Sequence, residues 1–251
     1  ADQELAAVAE AIEELHKEGC AYRDQAILSA GNERLGRLTE GLESLGIPVL
    51  YLGSLFERDE IKDLLSLLSL LVDRRAMGLL RVAGQKSHAV PLADVAVVLS
   101  HLKTDHHAPM AWVEALDALT ALSPAGLAGL RDIARLLAGF GSDANPWSVL
   151  CEVLLDRTRA AADIARADDV RARSRGIAIW QFMNFVRSQP AGQGIPLSRL
   201  LTRIRRLVLF SDERDLRQLP AAAQGIDAVR LMTMHGSKGL EFRAVHILGL
   251  T

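Results

Sequence analysis

The segment from Val229 to Leu250 constrains the fold more than any other part of the chain, because it indicates two strands joined by a compact polar loop. Val229, Leu231 and Thr233 alternate with the residues between them, which is the period of a pleated strand. The run that follows Ala244 is almost wholly apolar, which is typical of a strand covered on both faces. This pattern predicts an α/β sheet with a ligand site at the carboxyl end of its strands.

The loop between the two predicted strands packs a cation, a carboxylate, two glycines and several hydrogen-bond donors into eight positions, His235 to Phe242. A buried turn does not need this mixture, whereas a binding site does. Gly236 and Gly239 permit a tight turn or the close approach of a ligand.

This loop resembles motif V of the UvrD/Rep family of superfamily 1 DNA helicases, whose form is close to T-x-H-x-[AS]-K-G-L-E-F. The matching residues are Thr233, His235, Ser237, Lys238, Gly239, Leu240, Glu241 and Phe242. An upstream segment resembles the family's F-x-R-x-E-I-K-D element through Phe56, Arg58, Glu60, Ile61, Lys62 and Asp63. Gly46-Ile47-Pro48 also matches the family's order of elements in the second RecA-like lobe.

The resemblance implies roles for six residues. Glu241 is expected to accept a hydrogen bond from a ribose hydroxyl, with Gly239 and Asn32 in the same ATP-binding wall. Thr233, His235 and Lys238 are expected to lie beside single-stranded DNA. Two structural alternatives stay open, in which Glu241 is a helix-capping carboxylate and Lys238 is a solvated cation.

The periodicity predicts an α/β fold, in which a parallel sheet is interrupted by a large all-helical insertion, and the resemblance implies that this sheet is part of a RecA-like lobe. Residues 1–73 and 226–251 are predicted to belong to the RecA-like lobe, and residues 74–225 to the insertion. Helices are expected over Leu92–Leu102, Met110–Leu122, Pro124–Ala138, Trp147–Leu155, Val170–Arg187 and Leu197–Leu207. The three tryptophans, Trp112, Trp147 and Trp180, fall on apolar stripes and are predicted to be core residues.

Two departures from the family are visible. Ala30 stands where motif IV of the family carries an arginine that reaches the γ-phosphate, although Asn32 fits, and Arg34 or Arg37 is a candidate substitute. Ala89-Val90-Pro91 stands where UvrD-like helicases carry a Gly-Ile-Gly turn that grips duplex DNA, which makes the stretch more similar to the RecB/AddA branch.

The sequence contains no G-x-x-x-x-G-K-[ST] phosphate loop, so this chain alone is not expected to hydrolyse ATP. The resemblance implies that the chain is a fragment, with a first motor lobe before it in the same polypeptide and an arginine-bearing motif VI after it. ATP and Mg²⁺ are then cofactors of the full-length protein, with none held tightly by the fragment. Single-stranded DNA is the expected partner.

Composition limits these hypotheses. The net charge is −2, so any nucleic-acid contact must come from local patches. Arg199, Arg203 and Arg206 share a helical face that can track phosphates, but nearby acidic residues favour intramolecular ion pairs. The two cysteines lie outside any metal-ligand spacing, and no apolar run reaches the length of a membrane span, so a cytoplasmic setting without membrane or metal is expected.

Two functions follow. The first is part of an ATP-dependent 3′-to-5′ DNA helicase or translocase, in which this lobe supplies one wall of the ATP cleft and part of the DNA track. The second is a degenerate helicase-like lobe that binds DNA or a partner in a helicase–nuclease assembly.

Overall fold

The computed structural model describes residues 2–51, 53–103, 107–166, 168–210 and 223–248. Within these ranges the strands form one parallel sheet in the order β2-β3-β1-β4. The strands are β1 (Gln25–Ser29), β2 (Val49–Leu50), β3 (Val229–Thr233) and β4 (Ala244–Ile247). The predicted α/β class, with a small parallel sheet beside a large helical portion, is confirmed.

The helices account for most of the described chain. They are α1 (Asp2–Lys17), α2 (Asn32–Ser44), α3 (Asp59–Ser69), α4 (Leu79–Val82), α5 (Leu92–His101), α6 (Ala111–Ala115), α7 (Pro124–Leu137), α8 (Pro146–Cys151), α9 (Ala160–Arg166), α10 (Val170–Arg187) and α11 (Pro196–Leu209). Short 3₁₀ turns occupy Tyr22–Asp24 and Leu55–Glu57, and a π-helical turn occupies Glu152–Arg157. None of the helices within the described residues is both long enough and apolar enough to cross a membrane.

The chain divides into two compact units. The first, here called the α/β unit, comprises residues 1–58, 164–181 and 213–251. The second, here called the helical unit, comprises residues 59–163 and 182–212. The boundaries predicted at residues 74 and 225 stay predictions.

The core of the α/β unit packs α1 and α2 against the sheet, with Ile12, Ile27 and Leu35 wholly buried. Gly19 and Gly46 end the two helices with φ of 91° and 81°, a conformation that glycine adopts at low cost. The amide that follows each glycine donates to a carbonyl five residues back, from Cys20 to Leu15 and from Ile47 to Leu42. These Schellman ends direct the chain out of each helix, toward β1 and β2.

Arginine ion pairs hold several elements of the helical unit. Arg81 joins the two carboxylates Asp59 and Asp63 of α3 at 3.0 and 2.5 Å. Arg157 pairs with Glu152 and donates to the carbonyl oxygens of Leu136 and Ala138 at 3.0 and 2.7 Å, where α7 ends. A cation near the last carbonyls of a helix satisfies their acceptors and the helix dipole.

The burial of the two C-terminal strands is the reverse of the sequence prediction. The first four residues of β3 are buried, although its sequence alternates. In β4 the residues alternate in burial instead, and Val245 and Ile247 are 45% and 47% exposed. The reason is position, because β3 lies between β2 and β1 whereas β4 is at the edge of the described sheet.

Three other details differ from the prediction. The helix expected over Met110–Leu122 is regular only in α6, after which the chain continues as turns. The helix expected over Trp147–Leu155 changes to the π-helical turn after Cys151. Trp112 is buried as predicted, but Trp180 is 53% exposed and is not a core residue.

Candidate functional site at the carboxyl edge of the sheet

The strand order predicts a crevice at the carboxyl ends of β1 and β3. The connection from β1 passes through α2 to β2, on the far side of β3, whereas the connection from β3 leads to β4, on the far side of β1. The two connections therefore leave neighbouring strand ends in opposite directions. In open parallel sheets, such a switch point is where ligands bind.

Hydrogen bonds tie the two strand ends together. Ser29 pairs with Thr233 in the register of the sheet, and the Ser29 carbonyl oxygen accepts from the amide of Met234 at 3.1 Å. Ser29 is 1% exposed, so this contact is protected from water. The first residue of the polar loop is thus fixed to the end of the neighbouring strand.

The loop then folds back on Thr233. The Thr233 hydroxyl oxygen accepts from the amide of Gly236 at 3.1 Å, and its carbonyl oxygen accepts from the amide of Ser237 at 3.0 Å. The Ser237 hydroxyl donates to the Met234 carbonyl at 2.9 Å. A Cβ on Gly236 would lie 3.2 Å from the Thr233 hydroxyl, which is a tight contact. The turn is therefore held by its own backbone, with little room for a larger residue.

The predicted DNA-contacting residues lie on this turn. His235 and Lys238 are exposed, and neither side chain has a partner among the described residues. Thr233 is half-buried because its hydroxyl is used inside the turn. The turn thus presents an imidazole and an ammonium group beside the crevice.

The predicted nucleotide-contacting residues are only partly grouped. Gly239 has φ of 85° with open space where a Cβ would stand, so its backbone conformation, and not crowding, favours glycine. Glu241 is exposed, and its carboxylate has no hydrogen-bond or ion-pair partner in the described part of the chain. It lies on the segment that runs from this edge back to Ala244, which pairs with Gln25 at the opposite edge.

The motif IV segment meets the same crevice. Asn32 begins α2 directly after β1, but its side chain lies outside the described residues. Ala30 is exposed at the end of β1. Arg34, one candidate substitute for the family's arginine, pairs with Glu4 on α1. This ion pair holds the Arg34 guanidinium to α1.

Two side chains of the sheet, the buried Arg230 and the half-buried His246, were not recognised from the sequence. Arg230 is 5% exposed and donates to the carbonyl oxygens of Gln224 and Ile226 at 3.1 and 3.0 Å, and burial lowers its pKa. His246 lies with its Nε2 3.2 Å from the Gln25 amide oxygen, and burial lowers the pKa of this imidazole as well. The burial of such a side chain depends on the place of its strand in the sheet, which the local sequence pattern does not indicate.

The described residues contain no group of three or more histidine, cysteine, aspartate or glutamate side chains placed to hold a metal ion. The connection from β3 to β4 offers a ligand the Glu241 carboxylate, backbone groups and the cation of Lys238. Such a set suits a sugar hydroxyl and phosphodiester oxygens better than a chelated metal.

Comparison with known proteins finds similarity to DNA helicases. Residues 1–104 match the model of the UvrD-like helicase C-terminal domain. The chain is 26% identical over 250 residues to a protein of Bacillus subtilis (strain 168) named ATP-dependent DNA helicase PcrA, covering 97% of this chain and 33% of that protein. It is 24% identical over 250 residues to the ATP-dependent DNA helicase Rep of Buchnera aphidicola, covering 95% of this chain and 38% of the relative. The chain thus spans roughly a third of the length of the curated relatives that it matches.

Proposed function

Because the chain carries part of a C-terminal lobe of the UvrD/Rep helicase type, we propose that it serves an ATP-dependent 3′-to-5′ DNA helicase or translocase. In this proposal residues 1–73 and 226–251 form the RecA-like lobe, and residues 74–225 form its helical insertion. The observation that carries the proposal is the switch point in strand order between β1 and β3, where the polar loop that follows β3 is fixed by hydrogen bonds.

Different residues of the loop bind two different ligands, single-stranded DNA and ATP. Thr233, His235 and Lys238 contact the backbone of single-stranded DNA at the rim, where His235 and Lys238 have no competing partner among the described residues. Glu241 accepts a hydrogen bond from the ribose of ATP, and Gly239 and Asn32 belong to the same wall. A charge-assisted hydrogen bond of this kind contributes about 1.5–3 kcal/mol.

The phosphates of ATP and their Mg²⁺ need other residues. The sequence has no phosphate loop, and the described residues offer no carboxylate cluster for the ion. We therefore assign both to the first motor lobe of the same polypeptide. When bound, the nucleotide supplies the phosphoryl-transfer chemistry that drives stepping.

The test uses the full-length protein. Its ATP hydrolysis should be stimulated by single-stranded DNA, and Glu241→Ala should raise the KM for ATP about tenfold with little change in kcat, since tenfold corresponds to about 1.4 kcal/mol. Glu18→Ala, which removes an exposed carboxylate at the end of α1, is the matched control. A KM equal to that of the control would reject the ribose contact.

A second function is favoured by one specific observation. Ala30 stands in place of the motif IV arginine, and the Arg34 guanidinium pairs with Glu4. A phosphoryl-transfer site that lacks a cation loses much of its transition-state stabilisation. In this alternative the lobe binds DNA or a partner protein without driving a motor. Absence of DNA-stimulated ATP hydrolysis, together with retained DNA binding, would select the alternative.

A further inference from the structure

The helical unit contains a groove of about 1190 Å³ that no sequence motif indicated. Its walls are the first turn of α8, the end of α10, the segment 189–195 and one face of α11. We call it the arginine groove, because its lining includes four arginines, Arg187, Arg199, Arg203 and Arg206.

The charge of this groove is one-sided. No aspartate or glutamate is present among its lining residues. Elsewhere in the described part of the helical unit, arginines pair with carboxylates, as Arg131 does with Asp117 at 2.6 Å and Arg135 with Asp132. Asp212, Glu213 and Asp215, which follow these arginines in sequence, lie outside the described residues, so the ion pairs predicted for Arg199, Arg203 and Arg206 stay predictions. Like charges that line one groove raise the local potential, which attracts an anionic ligand.

The four guanidinium groups are held in different ways. Arg199 donates to the carbonyl oxygens of Gln193 and Gly194 at 2.9 and 3.0 Å and so braces the groove wall. Arg187 lies over the ring of Trp147, 5.7 Å from its centroid. Arg203 lies over the ring of Phe185 at 6.0 Å.

The Arg206 side chain makes no hydrogen bond, ion pair or ring contact with another described residue. It is exposed, and its carbonyl accepts the amide of Phe210 within the helix end. Its side chain therefore has no visible structural role in the described part of the chain, while it lines the groove beside Arg203.

The spacing of the cations suits a repeating anion. Arg199, Arg203 and Arg206 follow one another at helical intervals. At a rise of 1.5 Å per residue, the Cα atoms of Arg203 and Arg206 lie about 6 and 10 Å along the axis of α11 from the Cα atom of Arg199. The opposite face of α11 packs Leu197, Leu200 and Ile204 into the core, so this row is fixed in orientation.

We propose that the arginine groove binds the backbone of single-stranded nucleic acid, as a contact separate from the polar loop of the α/β unit. A single strand exposes its bases, whereas a duplex keeps them stacked inside. The Trp147 ring, with the Arg187 guanidinium over it, lines the groove and offers a flat surface on which a base can stack. An acidic peptide would bind through the charge of the groove alone, without the stacking of bases.

The test measures the binding of the full chain to a fluorescent oligothymidylate of about 20 nucleotides, by anisotropy, across a salt series. The Arg203→Ala/Arg206→Ala double variant should bind about tenfold more weakly near 0.1 M salt. The slope of log K against log salt should fall by about 1.4, because each single-strand phosphate contact contributes about 0.7.

The matched control is Arg131→Ala/Arg135→Ala, which removes two arginines of the same unit that already have carboxylate partners. It should leave affinity and slope unchanged. Arg206→Ala alone should lower the slope by about 0.7. Because its side chain has no partner among the described residues, this effect cannot come from a lost structural contact.

Three results would overturn the proposal. The double variant could retain the affinity and slope of the control. The loss could occur with a duplex and not with the single strand. Polyglutamate of equal length could displace the oligonucleotide as well as unlabelled oligothymidylate does. None of these results affects the polar loop, which is tested through Thr233 and Glu241.

Discussion

The polar loop after β3 and the arginine groove along α11 are both proposed to meet a nucleic-acid strand, but they are built in opposite ways. The loop carries one lysine, Lys238, and its shape is fixed by hydrogen bonds through Thr233, Met234 and Ser29. The groove carries four arginines, and no acidic side chain lines it.

The difference separates two kinds of recognition. A backbone turn held at the end of a buried strand places donors at fixed positions, so it discriminates by geometry. A row of guanidinium groups attracts any nearby phosphates, so its affinity depends strongly on salt. We expect loop variants that remove no charge, such as Thr233→Val, to change affinity at constant salt dependence, and groove variants to change both.

The largest effect should come from the strand that supports the loop. Leu231 is 3% exposed in β3, and Leu231→Ala should lower the free energy of unfolding by about 2–5 kcal/mol through the lost burial and the cavity. Val245→Ala, on the exposed face of β4, should change it by about 0.5 kcal/mol or less. Denaturant unfolding measures both. Equal costs would show that β3 is no better anchored than the edge strand.

A smaller effect should come from the turn itself. Thr233→Val removes the acceptor for the Gly236 amide and should weaken single-strand binding by about 1 kcal/mol, or roughly fivefold. Because no charge is removed, the salt slope should stay that of the unmodified chain. Thr39→Val, which removes a hydroxyl bonded within α2, is the control. A changed salt slope would contradict the distinction between loop and groove.

The smallest effect concerns pH. Burial lowers the pKa of His246 in the α/β unit and of His88 in the helical unit. Folding therefore disfavours the imidazolium form. The contribution of these histidines to the free energy of unfolding is complete at pH values above their ordinary pKa of 6.5, and it declines as the pH falls below that value. Thermal midpoints should be lower near pH 5.5 than near pH 7.5. His246→Asn should show a smaller decline, and an equal decline would remove His246 from this explanation.

The sequence predicts the α/β unit well wherever local chemistry decides the structure. Gly19 and Gly46 lie at the ends of α1 and α2, and the strand predicted from Val229 to Thr233 recurs as β3. The motif V resemblance also brings Thr233 to the end of β3, next to Ser29. These features depend on short-range periodicity and on backbone preferences that single residues carry.

The remaining features depend on partners far away in the chain. The burial of β3 and the exposure of β4 follow from lateral order in the sheet, which no local pattern encodes. The acidic residues that follow Arg203 and Arg206 in sequence, Asp212, Glu213 and Asp215, lie outside the described residues, so the ion pairs predicted with them stay predictions. Trp180 lies on an apolar stripe but is exposed, because the helix face that carries it is not covered there.

The connection from β3 to β4 has one further consequence. Thr233 is level with Ser29, and Ala244 is level with Gln25, so ten residues must cross β1 and also return along its whole length. The straight distance is about 16 Å at usual strand spacings. The five steps from Gly239 to Ala244 can reach about 17 Å when extended. Residues 234–239 are therefore more than the distance requires. A deletion among them would move His235 and Lys238 away from the rim before it strained β3 or β4.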